Sequence, residues 1–451
     1  MRRFRGVATV VAVCMVALAF VASAAALPKV PVDKFEPVEN CGCHAAFMET
    51  WNESMHAKAL IDPLYRYKLD EANKATDGAI GPFCEACHGA VAVMAGLSGA
   101  PDKMPPQARQ GVTCDLCHQV IGTSEPLGNT SLKVKPDGPK RAQFRDAKSP
   151  YHKTVYSQFH ETAEFCGMCH NVNHPGNGMH LEATYTEWKN GPYAAQGTVC
   201  QDCHMTPGPG VVKPYPGSAA AGGPQRDHIY IMTFAGGNVG LGDAERAEER
   251  LKAAATLEME LPDIFAPGTV QPGRVTITNS GAGHYLPTGL TEIRRMLLEV
   301  VATDSSGAEN VIGTHEFGSV LKDEKGNAPA ELWEAVAFSS DDRIPPKESV
   351  TDTFDVLMPE DGSVTVTARL TYRSAPEEMA EAAGVEIPTT LMASTAMTAY
   401  GSEKSRKQAA SESDGTKGGG TVPLWVVAVG LIAFVSVVVL AVLRFSKGSA
   451  G

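Results

Sequence analysis

Four short segments of the chain share one pattern, in which two cysteines separated by two residues are followed directly by a histidine. They are Cys84-Glu-Ala-Cys87-His88, Cys114-Asp-Leu-Cys117-His118, Cys166-Gly-Met-Cys169-His170 and Cys200-Gln-Asp-Cys203-His204. At this content of cysteine and histidine, chance would supply on the order of 0.01 such motifs. The repeated motif therefore constrains the fold more strongly than any other feature of the sequence.

The motif is typical of c-type haem attachment. Two thiols must reach the two vinyl groups on one edge of the porphyrin, and the next residue then brings an imidazole to the iron. Zinc sites also use cysteine pairs of this spacing, but they do not need a histidine after each second cysteine. Disulfides are chemically possible outside the cytoplasm, yet loops this short have the wrong geometry for a disulfide framework. The four motifs predict four covalently bound haem c groups, with their histidines as iron ligands.

A fifth segment, Cys41-Gly42-Cys43-His44, is one residue shorter. We interpret it as a fifth haem site, with a degenerate site or a reactive dithiol as the alternatives. Besides Cys14, the chain has ten cysteines, and five haems would use all of them. That arithmetic favours five haems over four.

Eight histidines lie outside these motifs and are candidates for the opposite face of each iron: His56, His152, His160, His174, His180, His228, His284 and His315. A haem iron with two histidine ligands changes redox state with little rearrangement and leaves no position for a substrate, which is the chemistry of electron transfer. We predict His56, His152, His174 and His228 as distal ligands, together with His160 or His284.

The overall charge bears on the partners of the chain. Among its 451 residues the formal net charge is -12, the pI is about 5.6, and no block of Lys or Arg is present. A protein that binds nucleic acid needs a basic surface to neutralise phosphates. The sequence therefore predicts no nucleic-acid partner.

Both ends of the chain carry apolar runs. The first 26 residues have a basic start, an apolar stretch and small residues at 23–26, which predict a cleaved signal peptide, with a retained N-terminal helix as the alternative. The run 422–443 has no charge, and 22 residues at about 1.5 Å each span about 33 Å. Arg444 and Lys447 follow it, which favours a cytoplasmic tail. A processed sorting signal is the alternative.

The composition changes along the chain. Residues 27–240 are rich in Cys, His, Gly and Pro and have too little aliphatic surface for an ordinary core. Later runs favour β-strands, and Val364–Leu370 alternates almost strictly. The predicted fold class is a haem-packed, mostly α-helical and irregular domain, then an all-β sandwich, then a single transmembrane helix. The predicted order is signal peptide 1–26, multihaem cytochrome c domain 27–240, connector helix 241–255, β-sandwich 256–400, flexible linker 401–421, transmembrane helix 422–443 and cytoplasmic tail 444–451.

Several segments resemble multihaem cytochromes related to the nitrifiers' tetrahaem cytochrome and hydroxylamine oxidoreductase. They are Trp51-Asn-Glu-Ser54-Met-His56-Ala57, Phe165–His170, Tyr185-Thr-Glu-Trp188, Cys200–Met205 and Asn279–Gly289. In that family the histidine of Trp-x-x-Ser-x-His is a distal ligand, which implies this role for His56. The segment Asn279–Gly289 resembles the opening of the β-sandwich that follows the haem domain in many members. Nothing in this sequence matches the tyrosine cross-link of a hydroxylamine-oxidising site.

These patterns predict a membrane-anchored electron carrier in the cell membrane, single-pass, with most of the chain on the extracytoplasmic side. Its donor would be a membrane quinol oxidase or a cytochrome, and its acceptor an extracytoplasmic reductase or another cytochrome. The alternative is a multihaem reductase of a small nitrogen or sulfur oxyanion. A third hypothesis makes the β-sandwich a docking or sugar-binding module.

The haem count is the first testable prediction. Each motif adds one haem through two thioethers, so the mass of the mature protein should exceed that of its polypeptide by four or five haem masses. Replacing Cys43 with Ala removes a thiol from the irregular motif alone and should lower the count by one. Three haems or fewer would contradict the interpretation, and an unchanged count in Cys43→Ala would reject the fifth site.

Overall fold

The computed structural model describes residues 27–290, 292–360 and 362–415. The first half of this region contains short helices and small hairpins, and the second half is rich in β-strands. The helices are Ala45–Glu53, Met55–Lys58, Pro63–Ala75, Gly81–His88, Ala90–Met94, Pro106–Arg109, Cys114–Gln119, Ala163–Gly167, Thr184–Lys189, Pro192–Ala195, Cys200–His204, Ala244–Ala254, Glu377–Ala382 and Glu403–Gly415. Turns of 3₁₀ helix cover Val32–Lys34, Val38–His44, Pro101–Lys103 and Gln158–Glu161.

Eight short strands form two-stranded ladders in the first half: β1 Val120–Thr123 with β2 Leu132–Val134, β3 Lys140–Ala142 with β4 Thr154–Tyr156, β5 Val172–Asn173 with β6 His180–Glu182, and β7 Gly217–Ser218 with β8 Gln225–Arg226. The remaining strands are β9 Thr256–Glu260, β10 Val270–Thr278, β11 Arg295–Asp304, β12 Glu309–Phe317, β13 Ser319–Lys322, β14 Ala337–Asp341, β15 Ser349–Leu357, β16 Ser363–Arg373 and β17 Thr390–Tyr400.

Two antiparallel sheets make up the second half. One has the strand order β15-β10-β9 and the other β12-β11-β16-β17, while β13 and β14 form a separate pair. In β16 the side chains of Val364, Val366, Ala368 and Leu370 are buried, and the residues between them point away from the core. Together with Val275 of β10, they belong to one apolar cluster that includes residues of both sheets. Two sheets that share a core in this way form a β-sandwich.

The two halves are joined by a helix and share apolar clusters. The helix Ala244–Ala254 begins at Asp243, whose side chain accepts a hydrogen bond of 3.1 Å from the backbone N–H of Arg246. This contact satisfies one of the free N–H groups at the start of a helix. Beyond the helix, Leu64 of the first half packs with Ile293, Ala375 and other residues of the second half. The sandwich therefore lies directly against the cysteine-rich region.

The described residues correct the predicted membrane architecture. None of their helices is long and apolar enough to cross a membrane. Pro63–Ala75 and Glu403–Gly415 have 13 residues each, which gives about 20 Å against the roughly 30 Å of a bilayer core. The fold class that includes a transmembrane helix, and the single-pass location in the cell membrane, are corrected on this finding. The run 422–443, the signal peptide 1–26 and the tail 444–451 lie outside the described residues.

The first half has apolar clusters, but they are small and lie around a cavity of about 2120 Å³. The buried residues in the larger of these clusters include Phe35, Leu60, Val91 and Met94. Left empty, a cavity of this size would forfeit the packing contacts on which a native fold depends. The centre of residues 27–240 therefore has room for large apolar groups.

Folding of this region should depend on haem. When the full chain is expressed without the haem-attachment machinery, limited proteolysis should cut within residues 27–240 and leave a resistant fragment of about residues 256–400, because only the sandwich has a continuous protein core. The haem-loaded chain under the same protease is the control and should resist cutting in both halves. A protease-resistant first half in the haem-free chain would contradict this.

Candidate haem sites

Each regular motif lies within a short helix or begins in one, and the helical turn explains the spacing of its cysteines and histidine. The helix Gly81–His88 ends on its motif, Cys114–Gln119 and Cys200–His204 begin on theirs, and Ala163–Gly167 leads into Cys169 and His170. In a helix, residues three and four apart lie on one face. Both cysteines and the histidine therefore face the same side, as one haem requires.

The irregular motif reaches a similar arrangement by a different backbone. The 3₁₀ helix Val38–His44 contains Cys41 with φ -87° and ψ 22°, which is outside the helical range. This kink interrupts the turn where the motif is one residue short. Cys41, Cys43 and His44 all line the central cavity. We number the sites by chain order: site 1 has His44, site 2 His88, site 3 His118, site 4 His170 and site 5 His204.

One continuous cavity connects all five sites. Its lining includes all ten described cysteines, none of which forms a disulfide, and nine histidines. Five of these histidines belong to the motifs, and the other four are His56, His152, His160 and His284. These four histidines line the cavity, whereas the remaining histidines of the described chain outside the motifs do not.

The four additional histidines each lie opposite one motif histidine. The ring centres are 6.4 Å apart for His44 and His152, 6.2 Å for His170 and His56, 6.1 Å for His118 and His160, and 6.2 Å for His204 and His284. A nitrogen ligand lies about 2 Å from its metal and roughly 1 Å from its own ring centre, so two imidazoles on one metal have centres about 6 Å apart. The residues of sites 1, 3, 4 and 5 therefore fit a haem with two histidine ligands.

Burial keeps several of these imidazoles neutral, as metal ligation requires. Burial, followed by the charges of His170, His204 and His88, lowers the pKa of His56 to about 3. Burial likewise lowers the pKa of His160 to about 4, where the charge of His118 adds to the effect. The ring of His160 is oriented by Ser157, whose Oγ lies 2.9 Å from Nδ1, and its Nε2 lies 3.0 Å from the carbonyl of Cys117.

Site 2 differs from the others. No described histidine is placed opposite His88, since the other eight cavity histidines form the four pairs above. Instead, the ring of Tyr65 stacks on His88 with ring centres 3.7 Å apart and planes 3° apart. That contact leaves no room for a group between the rings, so Tyr65 lies beside His88 and not across the iron. Its hydroxyl is buried and has no hydrogen-bond partner in the described part of the chain.

The sulfur atoms show which sites are neighbours. Thiols of different motifs lie close together in three pairs: Cys41 with Cys114, Cys87 with Cys169, and Cys166 with Cys200. Cys117 also lies within electrostatic range of Cys166 and Cys169. Site 1 is therefore next to site 3, and site 4 has sites 2, 3 and 5 as neighbours. The arrangement is a branched row with site 4 at the branch point.

The loop that carries His284 comes from the sandwich and is held by polar contacts. Asn279 donates from Nδ2 to the carbonyls of His284 and Ile344, at 2.8 and 3.0 Å. Glu187 of the first half accepts hydrogen bonds from the N–H of Tyr285 and the hydroxyl of Thr288. Both Asn279 and Glu187 are buried, so the loop has little freedom. The sandwich is thus part of site 5.

Two predicted distal ligands lie elsewhere. His174 is buried, accepts hydrogen bonds at Nδ1 from Gly176 and Asn177, and has Nε2 3.2 Å from the carbonyl of Trp333. His228 accepts a hydrogen bond at Nδ1 from the N–H of Tyr215, at 2.9 Å. Neither histidine lines the cavity, and neither lies opposite a motif histidine. The structure gives no support for the distal role of His174 or His228.

Sequence reasoning also missed residues that hold the motif histidines. Tyr65 and Glu182 carry no motif, and the carbonyls that contact the ring nitrogens belong to residues without a recognisable pattern. Glu182 reaches His170 because β5 and β6 pair Val172 with Glu182. No local signal in the sequence reveals such a contact. His315 lies on β12, and Oδ2 of Asp352 is 2.8 Å from its Nδ1.

Comparisons with known proteins agree with this geometry. Residues 40–119 match the family model described as cytochrome c554 and c-prime. Among solved structures, the chain is similar to a penta-heme cytochrome c552 from Thermochromatium tepidum, with 21% identity and a TM-score of 0.58 over 82% of this chain and 100% of that chain. At that identity the likeness shows the fold alone. No curated protein matches the chain.

Further structural matches are weak. A CARDB domain from Pyrococcus furiosus has 15% identity and a TM-score of 0.16 over 26% of this chain and 67% of that chain. A superoxide reductase from Ignicoccus hospitalis has 12% identity and a TM-score of 0.17 over 33% of this chain and 81% of that chain. Neither carries an argument. The first two findings support a multihaem c-type cytochrome with covalently bound haem c, while the relation to hydroxylamine oxidoreductase stays a prediction.

Distal ligation can be tested by comparing His284 with His228, which the sequence analysis preferred as a distal ligand. Replacing His284 with Ala should convert one haem from low spin to high spin, because water is a weaker-field ligand than imidazole. Replacing His228 with Ala, as the control, should leave the spin states unchanged. The measurement is the electron paramagnetic resonance spectrum of the oxidised protein. A new high-spin haem in His228→Ala without one in His284→Ala would contradict the histidine pairs described above.

The same measurement applied to His56→Ala and His315→Ala tests the pair at site 4. We expect one new high-spin haem in His56→Ala and none in His315→Ala, since His315 lies in the sandwich and outside the cavity. A spectral change in His315→Ala without one in His56→Ala would show that the ligand assignment is wrong.

Proposed function

We propose that this multihaem c-type cytochrome is an electron carrier, in which electrons pass one at a time along five neighbouring sites. The observation that carries the proposal is the set of four histidine pairs with ring centres 6.1 to 6.4 Å apart. When bound, a haem iron with two imidazole ligands exchanges single electrons and has no position for a substrate. Four of the five sites are built in this way.

The chain's own residues supply attachment, orientation and exclusion of water. The cysteines would fix each porphyrin edge, and the short separation between cysteines of different motifs places neighbouring sites side by side. Each motif histidine is oriented by a partner at its Nδ1. Rigid orientation reduces the rearrangement that accompanies each change of redox state. The chain's residues thus provide a fixed row of sites.

The ends of the row suggest where electrons enter and leave. Cys43 of site 1 is exposed, and the neighbouring Tyr151 is 80% exposed. Site 5 lies at the other end, against the sandwich, which supplies His284. The partners stay as the sequence predicts them: a membrane quinol oxidase or cytochrome as donor, and an extracytoplasmic reductase or another cytochrome as acceptor.

One observation favours a second candidate function, the reduction of a small oxyanion at site 2. His88 has Tyr65 beside it and no described histidine opposite it. A reductase needs one iron with a face that is free to bind its substrate. The other four sites provide no such opportunity.

Binding of an external ligand separates the two functions. Carbon monoxide added to the reduced protein should bind to one haem per chain, because only site 2 lacks a facing histidine. With a reduced dye as electron source, the carrier should then show no catalytic turnover of nitrite or hydroxylamine. Turnover of nitrite or hydroxylamine that one equivalent of carbon monoxide abolishes would support the reductase. Binding of two or more equivalents of carbon monoxide would contradict the proposed pairs.

A further inference from the structure

The five motif histidines do not have the same partner at Nδ1. In four of them Nδ1 lies close to a backbone carbonyl: 2.6 Å from Ala219 for His44, 2.9 Å from Ala59 for His88, 2.6 Å from Arg141 for His118 and 2.8 Å from Ala235 for His204. Because the carbonyl can only accept, each of these nitrogens carries the proton. The four sites share a neutral acceptor.

Site 4 has a charged acceptor instead. Nδ1 of His170 lies 3.1 Å from Oε1 of Glu182. The side chain of Glu182 is 15% exposed, and no Lys or Arg within the described ranges forms an ion pair with it. Its other nearby contact is the hydroxyl of Thr184, 3.4 Å from the same oxygen. Arg294 lies within electrostatic range of the carboxylate but forms no ion pair with it, so His170 is the direct ionisable partner of Glu182.

The position of Glu182 is fixed by the fold. The hairpin of β5 and β6 pairs Val172 with Glu182, which places the carboxylate beside the histidine two residues before Val172 in the chain. Leu181, next to it, is buried in a cluster with Leu321 and Ala335 of the second half. The contact with His170 thus follows from the hairpin and its packing, and Glu182 has little freedom to turn away.

A carboxylate on the far nitrogen of a metal-bound imidazole has a known physical effect. It draws the N–H proton towards itself, raises the electron-donating power of the ligand, and adds a negative charge near the metal. Both effects stabilise the ferric state relative to the ferrous state, so the reduction potential falls.

We propose that Glu182 is a positioning residue that lowers the reduction potential of the haem at site 4 and thereby controls electron passage through the branch point of the row. The proposal rests on the proposed function. Each transfer through site 4 oxidises one ferrous iron to ferric and reduces a neighbouring ferric iron to ferrous, with one electron and no bond made or broken. Site 4 adjoins sites 2, 3 and 5, so its potential affects every path between them.

The test is the variant Glu182→Gln in the haem-loaded full chain. Glutamine keeps the length of the side chain and an oxygen that accepts the hydrogen bond, but it removes the charge. In an optical redox titration, one of the potentials should rise by at least the equivalent of a tenfold change in the ferric-to-ferrous ratio, which is about 59 mV for one electron. The haem count and the low-spin spectrum should not change.

Glu164→Gln is the matched control. Glu164 lies close to the same motif but accepts its hydrogen bond from the hydroxyl of Tyr185, at 2.9 Å, and does not contact His170. Its replacement removes one negative charge near site 4 without changing the partner of Nδ1. Glu164→Gln should therefore shift the potential much less than Glu182→Gln. Equal shifts in the two variants would overturn the proposal, since the cause would then be the general field of nearby charges.

A second variant keeps the proposal testable if Glu182→Gln does not retain its haem. Glu182→Asp preserves the charge but shortens the side chain, so it weakens the contact with His170 and should give a smaller upward shift. Unchanged potentials in a fully loaded Glu182→Gln or Glu182→Asp protein would overturn the role of Glu182 and leave the proposed function intact. A wild-type protein without covalent haem would instead overturn the proposed function itself.

Discussion

The structure depends on one constraint: a Cys-x-x-Cys-His motif provides only one of the two axial ligands of an iron. At four of the five sites, a histidine that the fold brings from a different part of the chain lies opposite the motif histidine. At site 4 that residue is His56, which comes from the start of the chain and lies 6.2 Å from His170 between ring centres. At site 5 it is His284, which comes from the β-sandwich. The distal ligands therefore tie remote segments to one centre.

This constraint explains which parts of the site could be predicted from the sequence. The motif cysteines and histidines are local, and their spacing reports the geometry of one helical turn, so they are recognisable without a structure. His56 and His152 were predicted and lie opposite motif histidines. His160 and His284 were predicted as alternatives, and both lie opposite a motif histidine, while His174 and His228 do not. Distal ligands are non-local contacts, and a sequence shows only that enough histidines exist.

The fold was predictable to a similar extent. The alternating run Val364–Leu370, which predicted a strand, lies within β16. The strands β12 and β17 have no such regular pattern, because β12 has exposed residues along most of its length and β17 mixes small and polar residues. The helix Glu403–Gly415 overlaps the predicted flexible linker 401–421. Its composition of Glu, Lys, Ser and Ala is compatible with either structure, and the sequence analysis favoured the linker.

The sandwich supplies a ligand to site 5, and this changes how the two halves relate to each other. A docking module could be removed without affecting the haems, but here the loop with His284 is fixed from both sides. Asn279 holds it from the sandwich, and Glu187 holds it from the helix Thr184–Lys189, with Arg343 of the sandwich completing a buried ion pair. Breaking one partner of such a pair leaves an uncompensated buried charge, which costs about 3–5 kcal/mol. The orientation of the two halves and the ligation of site 5 therefore depend on the same contacts. The sandwich is an integral part of the electron-transfer unit that we propose.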